Sequence, residues 1–316
     1  MTETTVAERL AYVFPGQGSQ AIGMGRDLFT ESKAAKETFE EADDILGFSL
    51  SKLCFEGPED QLKQTVNAQP AIMTASIAAL RALGEAHPEA FPSTPRFVAG
   101  HSLGEYTALV AANALPFNEA LSLVRERGRL MQEAGRLREG GMAAILGLDE
   151  SLVEQLCQQV GIEIANINSD GQIVLSGTKD ALVRAVDLAR AMGAKRAIPL
   201  EVSGAFHSSL MQPAVPGMAQ AIYKASIRNP QIPIISNTKA EPIARQGEIQ
   251  AELIDQMVSC VHWTKSVQYM ASNGVKTFVE IGPGKVLTGL IKRIAKDVQT
   301  INVETMPSVR AFALPA

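Results

Sequence analysis

Five residues, Gly100-His101-Ser102-Leu103-Gly104, constrain this chain more than any other feature. They join a short apolar strand predicted over 96–99 to a largely apolar helix predicted over 103–112. Glycines two before and two after the serine fit a G-x-S-x-G elbow, where the chain reverses sharply and larger side chains would clash. Such a turn lifts the serine hydroxyl out of the sheet and sets it over a helix N-terminus, whose free N–H groups favour developing negative charge. The competing reading is a serine that simply caps an ordinary helix.

Strands and helices alternate around this point. A strand over 11–14 stops at Pro15-Gly16-Gln17-Gly18-Ser19-Gln20, an amphipathic helix follows over 27–46, and an Ala-rich, mostly buried helix over 70–83. A proline-punctuated loop spans 87–95, and Pro116 opens a helix over 116–134. Continuously apolar strands separated by helices argue for a parallel sheet covered on both faces. The middle differs: strand 140–148, helix 150–160, strands 162–168 and 172–176, helix 179–192 and strand 195–200. That βαββαβ order is the pattern of a ferredoxin-like unit. The expected division is an α/β domain over 1–136 and 204–316, with an inserted small domain over 137–203. Helices over 209–224, 249–258, 265–272 and 286–296 and strands over 233–236 and 277–280 complete the reading.

Composition narrows the function classes. A length of 316 residues suits one large domain with an insertion, or two domains. A net charge of −5 gives no basic excess, so nucleic acid is not an expected partner. Hydrophobic residues at 46 % supply a sizeable core, and no window reaches the ~18 uninterrupted apolar residues of a membrane span. The start, MTETTVAERL, lacks the basic and apolar regions of a signal peptide, so a cytoplasmic enzyme is expected. Cys54, Cys157 and Cys260 are too scattered for a disulfide framework, and His87, His101, His207 and His262 show no metal-ligand spacing.

A serine hydroxyl needs a base. His87 lies in the proline-rich loop, His101 points away on the elbow, and His262 beside Trp263 reads as a packing or surface residue. His207, between the last insert strand and a helix, can face a cleft between domains as that base; the alternative is a structural histidine. Arg127 falls at the edge of the apolar stripe formed by Phe117, Ala120, Val124 and Met131. A guanidinium there either pairs with a core carboxylate or clamps a substrate carboxylate, since an unpaired buried charge costs several kcal/mol. The loop Gly16-Gln17-Gly18-Ser19-Gln20-Ala21 formally fits a dinucleotide fingerprint. That motif needs an acid about 20 residues on, at the end of a second strand, and Glu37–Asp44 falls in a helical stretch instead. The other reading is that these glycines let a backbone N–H approach a reacting oxygen.

Phe14-Pro15-Gly16-Gln17-Gly18-Ser19-Gln20, Gly100-His101-Ser102-Leu103-Gly104-Glu105, Arg127 in Arg-Gly-Arg-Leu-Met-Gln, and Ala205-Phe206-His207-Ser208 strongly resemble malonyl-CoA:acyl carrier protein transacylases. Residues 166–172, 263–267 and 280–287 resemble family segments too, so the likeness runs nearly end to end. The resemblance implies an α/β-hydrolase-like core with a ferredoxin-like insertion. It implies Ser102 as the acylated nucleophile, His207 as its base, and Arg127 as the binder of the malonyl carboxylate. The amides of Gln17 and Leu103 would form the oxyanion hole. Gln256 would hold the histidine through its backbone carbonyl, Gln69 would line the acyl pocket, and Phe206 would favour malonyl. Malonyl-CoA and acyl carrier protein are the implied partners of a monomer with no cofactor. Lys285, Lys292, Arg293 and Lys296 are candidates for docking the carrier protein, or else a solvated helix end. A thioesterase would share the elbow but release free malonate, and an inactive binding module would be expected to have lost Ser102, His207 or Arg127.

Overall fold

The computed structural model describes residues 9–89 and 94–314. The start of the N-terminal stretch read above and the centre of the 87–95 loop lie outside the described residues. Among the described residues ten strands form two sheets: β1 Leu10–Phe14, β2 Phe97–Gly100, β3 Gly140–Leu146, β4 Glu163–Ser169, β5 Gln172–Thr178, β6 Arg196–Pro199, β7 Ile234–Ile235, β8 Pro242–Ile243, β9 Thr277–Ile281 and β10 Gln299–Val303.

The larger sheet runs in the order β10-β9-β1-β2-β7-β8 and is parallel except for the edge pair β7–β8. Side chains of β1 alternate between its faces, as a pleated strand requires. Tyr12 and Phe14 join a core with the helix Thr65–Ala86, whereas Ala11 and Val13 pack with Trp263, Met270, Phe278 and Leu290. Both faces are therefore apolar, which explains why these strands carry no polar alternation. Phe14 lies opposite Gly100, and Val13 opposite Glu280. The turns after β1, β2 and β9 consequently open at one carboxyl edge, the place where an α/β sheet leaves room for a ligand.

The smaller sheet is antiparallel, ordered β4-β5-β3-β6, with helices Glu150–Val160 and Lys179–Ala191 and a core of its own that includes Ile145, Val153, Leu156, Ile173 and Leu175. It is tied back to the larger part by main-chain bonds. Ile167 N–H donates to the Val261 carbonyl at 2.9 Å, and Val261 N–H to the Ala165 carbonyl at 2.9 Å.

Several local expectations need correction. The single helix predicted over 27–46 is two, Arg26–Glu31 and Lys33–Leu46. Ser32 between them is extended, and its hydroxyl accepts the Ala35 N–H at 3.1 Å, so a cap signal outweighed the continuous amphipathic pattern. The helix predicted from 70 starts at Thr65 with Pro70 inside it. Proline has no N–H for the carbonyl four residues back, and Arg125 Nη1 donates to that Val66 carbonyl instead, at 2.6 Å. The stretch from 209 opens as a 3₁₀ turn, Ser209–Ala214, before the helix Val215–Lys224, and the helix predicted over 249–258 is Gln246–Asp255. Helices Leu50–Glu56, Glu59–Lys63 and Met306–Arg310, with strands β8 and β10, were not anticipated. Among the described residues no helix is long and apolar enough to cross a membrane.

Candidate functional site

Three glycines build the elbow by close approach. A Cβ on Gly100 would overlap the Gly104 carbonyl, one on Gly104 the Phe14 carbonyl, and one on Gly16 the His101 carbonyl. The ends of β1 and β2 thus touch backbone to backbone, and Ser102 is forced to φ 53°, ψ −104° at the N-cap of the helix Leu103–Ala111. Asn237, in the turn after β7, spans the reversal. Ser102 N–H donates to Asn237 Oδ1 at 2.7 Å, and Asn237 Nδ2 donates to the Gly100 carbonyl at 2.8 Å. Leu103, the first helical residue, has no carbonyl four residues back in the helix for its own N–H.

His207 approaches from the loop after β6. Its Nε2 lies 2.8 Å from Ser102 Oγ and its Nδ1 2.8 Å from the Gln256 carbonyl. A carbonyl only accepts, so Nδ1 carries the proton and Nε2 offers its lone pair to the serine hydroxyl. Burial, reinforced by the nearby Arg127 cation, pushes the His207 pKa down to about 3. The imidazole is therefore neutral at physiological pH.

Arg127 reaches the same hydroxyl from the helix Phe117–Leu137. Its side chain is 1 % exposed, with Nη1 donating to Gln69 Oε1 at 2.8 Å and Nη2 to Gln256 Oε1 at 2.8 Å and Ser102 Oγ at 3.1 Å. The guanidinium also lies 5.3 Å from the Tyr106 ring centre, and its Nε has no partner. Among the described residues no carboxylate forms an ion pair with it, so a buried cation faces the serine with neutral partners only. Gln69 is fixed in turn by Nε2 on Met131 Sδ at 3.4 Å.

Gln17 lies in the turn after β1, where its side chain donates to Thr65 Oγ1 at 3.2 Å, and Phe206 is buried in the large core beside His207. Ser102, His207, Arg127, Gln69 and Gln256 are thus linked by direct hydrogen bonds, with Leu103 and Phe206 adjacent in sequence. The dinucleotide alternative lacks its context, because five helices separate the Gly16–Gly18 turn from the next strand, β2. His101 is turned to the smaller sheet, with Nε2 2.8 Å from Asn168 Oδ1 and its ring against Trp263. His87 bonds the Val309 carbonyl and His262 precedes the helix Trp263–Ser272. Among the described residues no group of His, Cys, Asp or Glu is arranged to hold a metal.

Sequence reasoning passed over two residues. Glu105 is buried, and burial with the neighbouring Glu252 raises its pKa well above the usual carboxylate range. A charged residue within a largely apolar helix was the available signal. Asn237 had no comparable signal, since only the pairing of β7 with β2 brings it to the elbow.

Residues 11–310 match the acyl transferase domain family, and the chain belongs to that family. It is 47 % identical over 300 residues to the malonyl CoA-acyl carrier protein transacylase of Bacillus subtilis (strain 168), covering 93 % of each chain. It is 42 % identical over 310 residues to that of Escherichia coli (strain K12), covering 97 % of this chain and 99 % of the other. Its fold superposes on the acyl carrier protein S-malonyltransferase from Vibrio cholerae with a TM-score of 0.92, at 42 % identity over 96 % of this chain and 99 % of that one. A malonyl-transacylase solved in complex with a type II PKS acyl-carrier protein matches with a TM-score of 0.91 at 40 % identity, over 96 % and 98 % of the two chains. Likeness of this extent places the chain among the malonyl CoA-acyl carrier protein transacylases.

Proposed function

We propose that this protein moves a malonyl group from malonyl-CoA to the phosphopantetheine thiol of acyl carrier protein, by way of a malonyl ester on Ser102. The observation that carries the reading is Arg127: a buried cation without a carboxylate partner, 3.1 Å from a serine hydroxyl that is itself 2.8 Å from a neutral imidazole. A substrate bearing both a reactive carbonyl and a free carboxylate satisfies the two groups together.

In the first half-reaction Ser102 Oγ attacks the thioester carbon as His207 Nε2 takes its proton. The oxyanion is held by the Gln17 and Leu103 amides. The C–S bond breaks, and His207 returns the proton to the departing CoA sulfur. In the second, the carrier-protein thiol gives its proton to His207 and attacks the ester carbon, and Ser102 leaves as the alcohol. Gln256 supports His207 through its carbonyl, Gln69 orients Arg127, and Phe206 walls the acyl pocket. No atom changes oxidation state, so the chemistry calls for no redox cofactor.

We read the larger part, 1–136 and 204–316, as an α/β-hydrolase-like catalytic domain of a cytoplasmic monomer. We read 137–203 as a ferredoxin-like insert, supported by the order β4-β5-β3-β6. Incubation with malonyl-CoA should add one malonyl group to the intact protein by mass spectrometry, and Ser102→Ala should abolish the addition. Equal labelling of both proteins rejects the proposal.

A further inference from the structure

Resting on that reading, we infer that Glu105 is a positioning residue that fixes how Arg127 is presented to the substrate carboxylate, acting through the side-chain amide of Gln256. Glu105 is 1 % exposed and sits one turn into the helix behind Ser102. Its Oε1 accepts the Asn237 N–H at 3.0 Å, and its Oε2 accepts from Gln256 Nε2. The same Nε2 donates to the Ser102 carbonyl at 3.0 Å, while Gln256 Oε1 accepts from Arg127 Nη2 at 2.8 Å.

An amide has one donating end and one accepting end. Glu105 and the Ser102 carbonyl both require the donating end, so the accepting end is left facing Arg127. Were Glu105 to lose its acceptor there, the amide could turn over and set Nε2 against Nη2. Two donors would then meet in a buried site, and one would remain unsatisfied. Besides Ser102 Oγ, the two oxygens that hold Arg127 in its plane are the amide oxygens of Gln69 and Gln256. The far end of Gln69 is pinned only by a thioether, a weak acceptor, whereas the far end of Gln256 is pinned by a carboxyl oxygen. Glu105 is the stronger of the two locks. The main-chain carbonyl of Gln256 still serves His207 whichever way its amide turns, so the base is insulated from Glu105.

Glu105→Gln preserves size and can still accept from Asn237, but it presents an NH₂ group to Gln256 Nε2. The rate constant kcat/KM for loading Ser102 from malonyl-CoA should fall on the order of tenfold, carried by KM, while loading from acetyl-CoA changes much less. Equal losses for both thioesters, or no loss for either, overturn the inference. Should the variant fail to melt cooperatively, Gln256→Leu keeps the carbonyl for His207 and removes only the amide. It should show the same split between thioesters, and undiminished malonyl preference in it overturns the inference. Failure of the wild-type protein to load malonyl at all would instead reject the transfer reading, so the two failures are distinguishable.

Discussion

His207 and Arg127 share one serine oxygen, and their charges are coupled. The imidazole is depressed to about 3 first by burial and next by the Arg127 cation. It thus stays neutral, and able to accept a proton, at physiological pH. Arg127→Ala removes the cation, so the His207 pKa should climb toward that of an ordinary histidine. The acid limb of acetyl loading should accordingly move to higher pH than in the wild type, measured as kcat/KM against pH. The same variant should lose its preference for malonyl-CoA over acetyl-CoA, since no buried cation is left unpaired by the neutral methyl group. Retained preference would count against the clamp. The convergence of Ser102, His207 and Arg127 was legible in the sequence because each residue type announces its chemistry. The place of Gln256 came only from family likeness, because its main-chain carbonyl carries no residue identity. Glu105 and Asn237 act by holding other residues, so their purpose emerges only with the sheet order.

The elbow depends on backbone contact between β1 and the helix Leu103–Ala111, and its glycines leave no room for a side chain. Gly104→Ala would drive a methyl group into the Phe14 carbonyl, a rigid neighbour. It should cost more than about 3 kcal/mol, read as loss of folded protein or a much lower melting temperature. Gly289→Ala should do the reverse. That residue lies in the helix Val286–Ile294 with nothing near its missing side chain, and the change should stabilise by about 0.5–1 kcal/mol in urea titration. Long apolar helices and the buried strands of the larger sheet could be read from periodicity. The break at Ser32 could not, because polar spacing on either side of it keeps one continuous face. Nor could the early start of the helix Thr65–Ala86, where a distant arginine, Arg125, supplies the donor that Pro70 lacks.

The two sheets meet beside the site, and a cluster of basic side chains lies on that side. Lys285, Lys292, Arg293 and Lys296 are all exposed, and Arg293 Nη1 reaches across to Gln172 Oε1 at 2.8 Å at the start of β5. If this surface receives the carrier protein, Lys292→Glu with Arg293→Glu should raise the carrier-protein KM at low salt and leave malonyl loading unchanged. An unchanged KM removes the surface from consideration. The βαββαβ order over residues 140–199 was readable because each element shows its own period over a full length. Strand β10 was not, since Gln299–Val303 is only half-buried at the sheet edge and lacks an apolar run. The chain also contains a single tryptophan, Trp263, fully buried with its ring 5.8 Å from that of His101, the residue next to Ser102. Tryptophan emission from the folded protein therefore originates at one spot behind Ser102. Stopped-flow fluorescence should follow ester formation and discharge in real time without any attached dye, and Ser102→Ala should leave the trace flat.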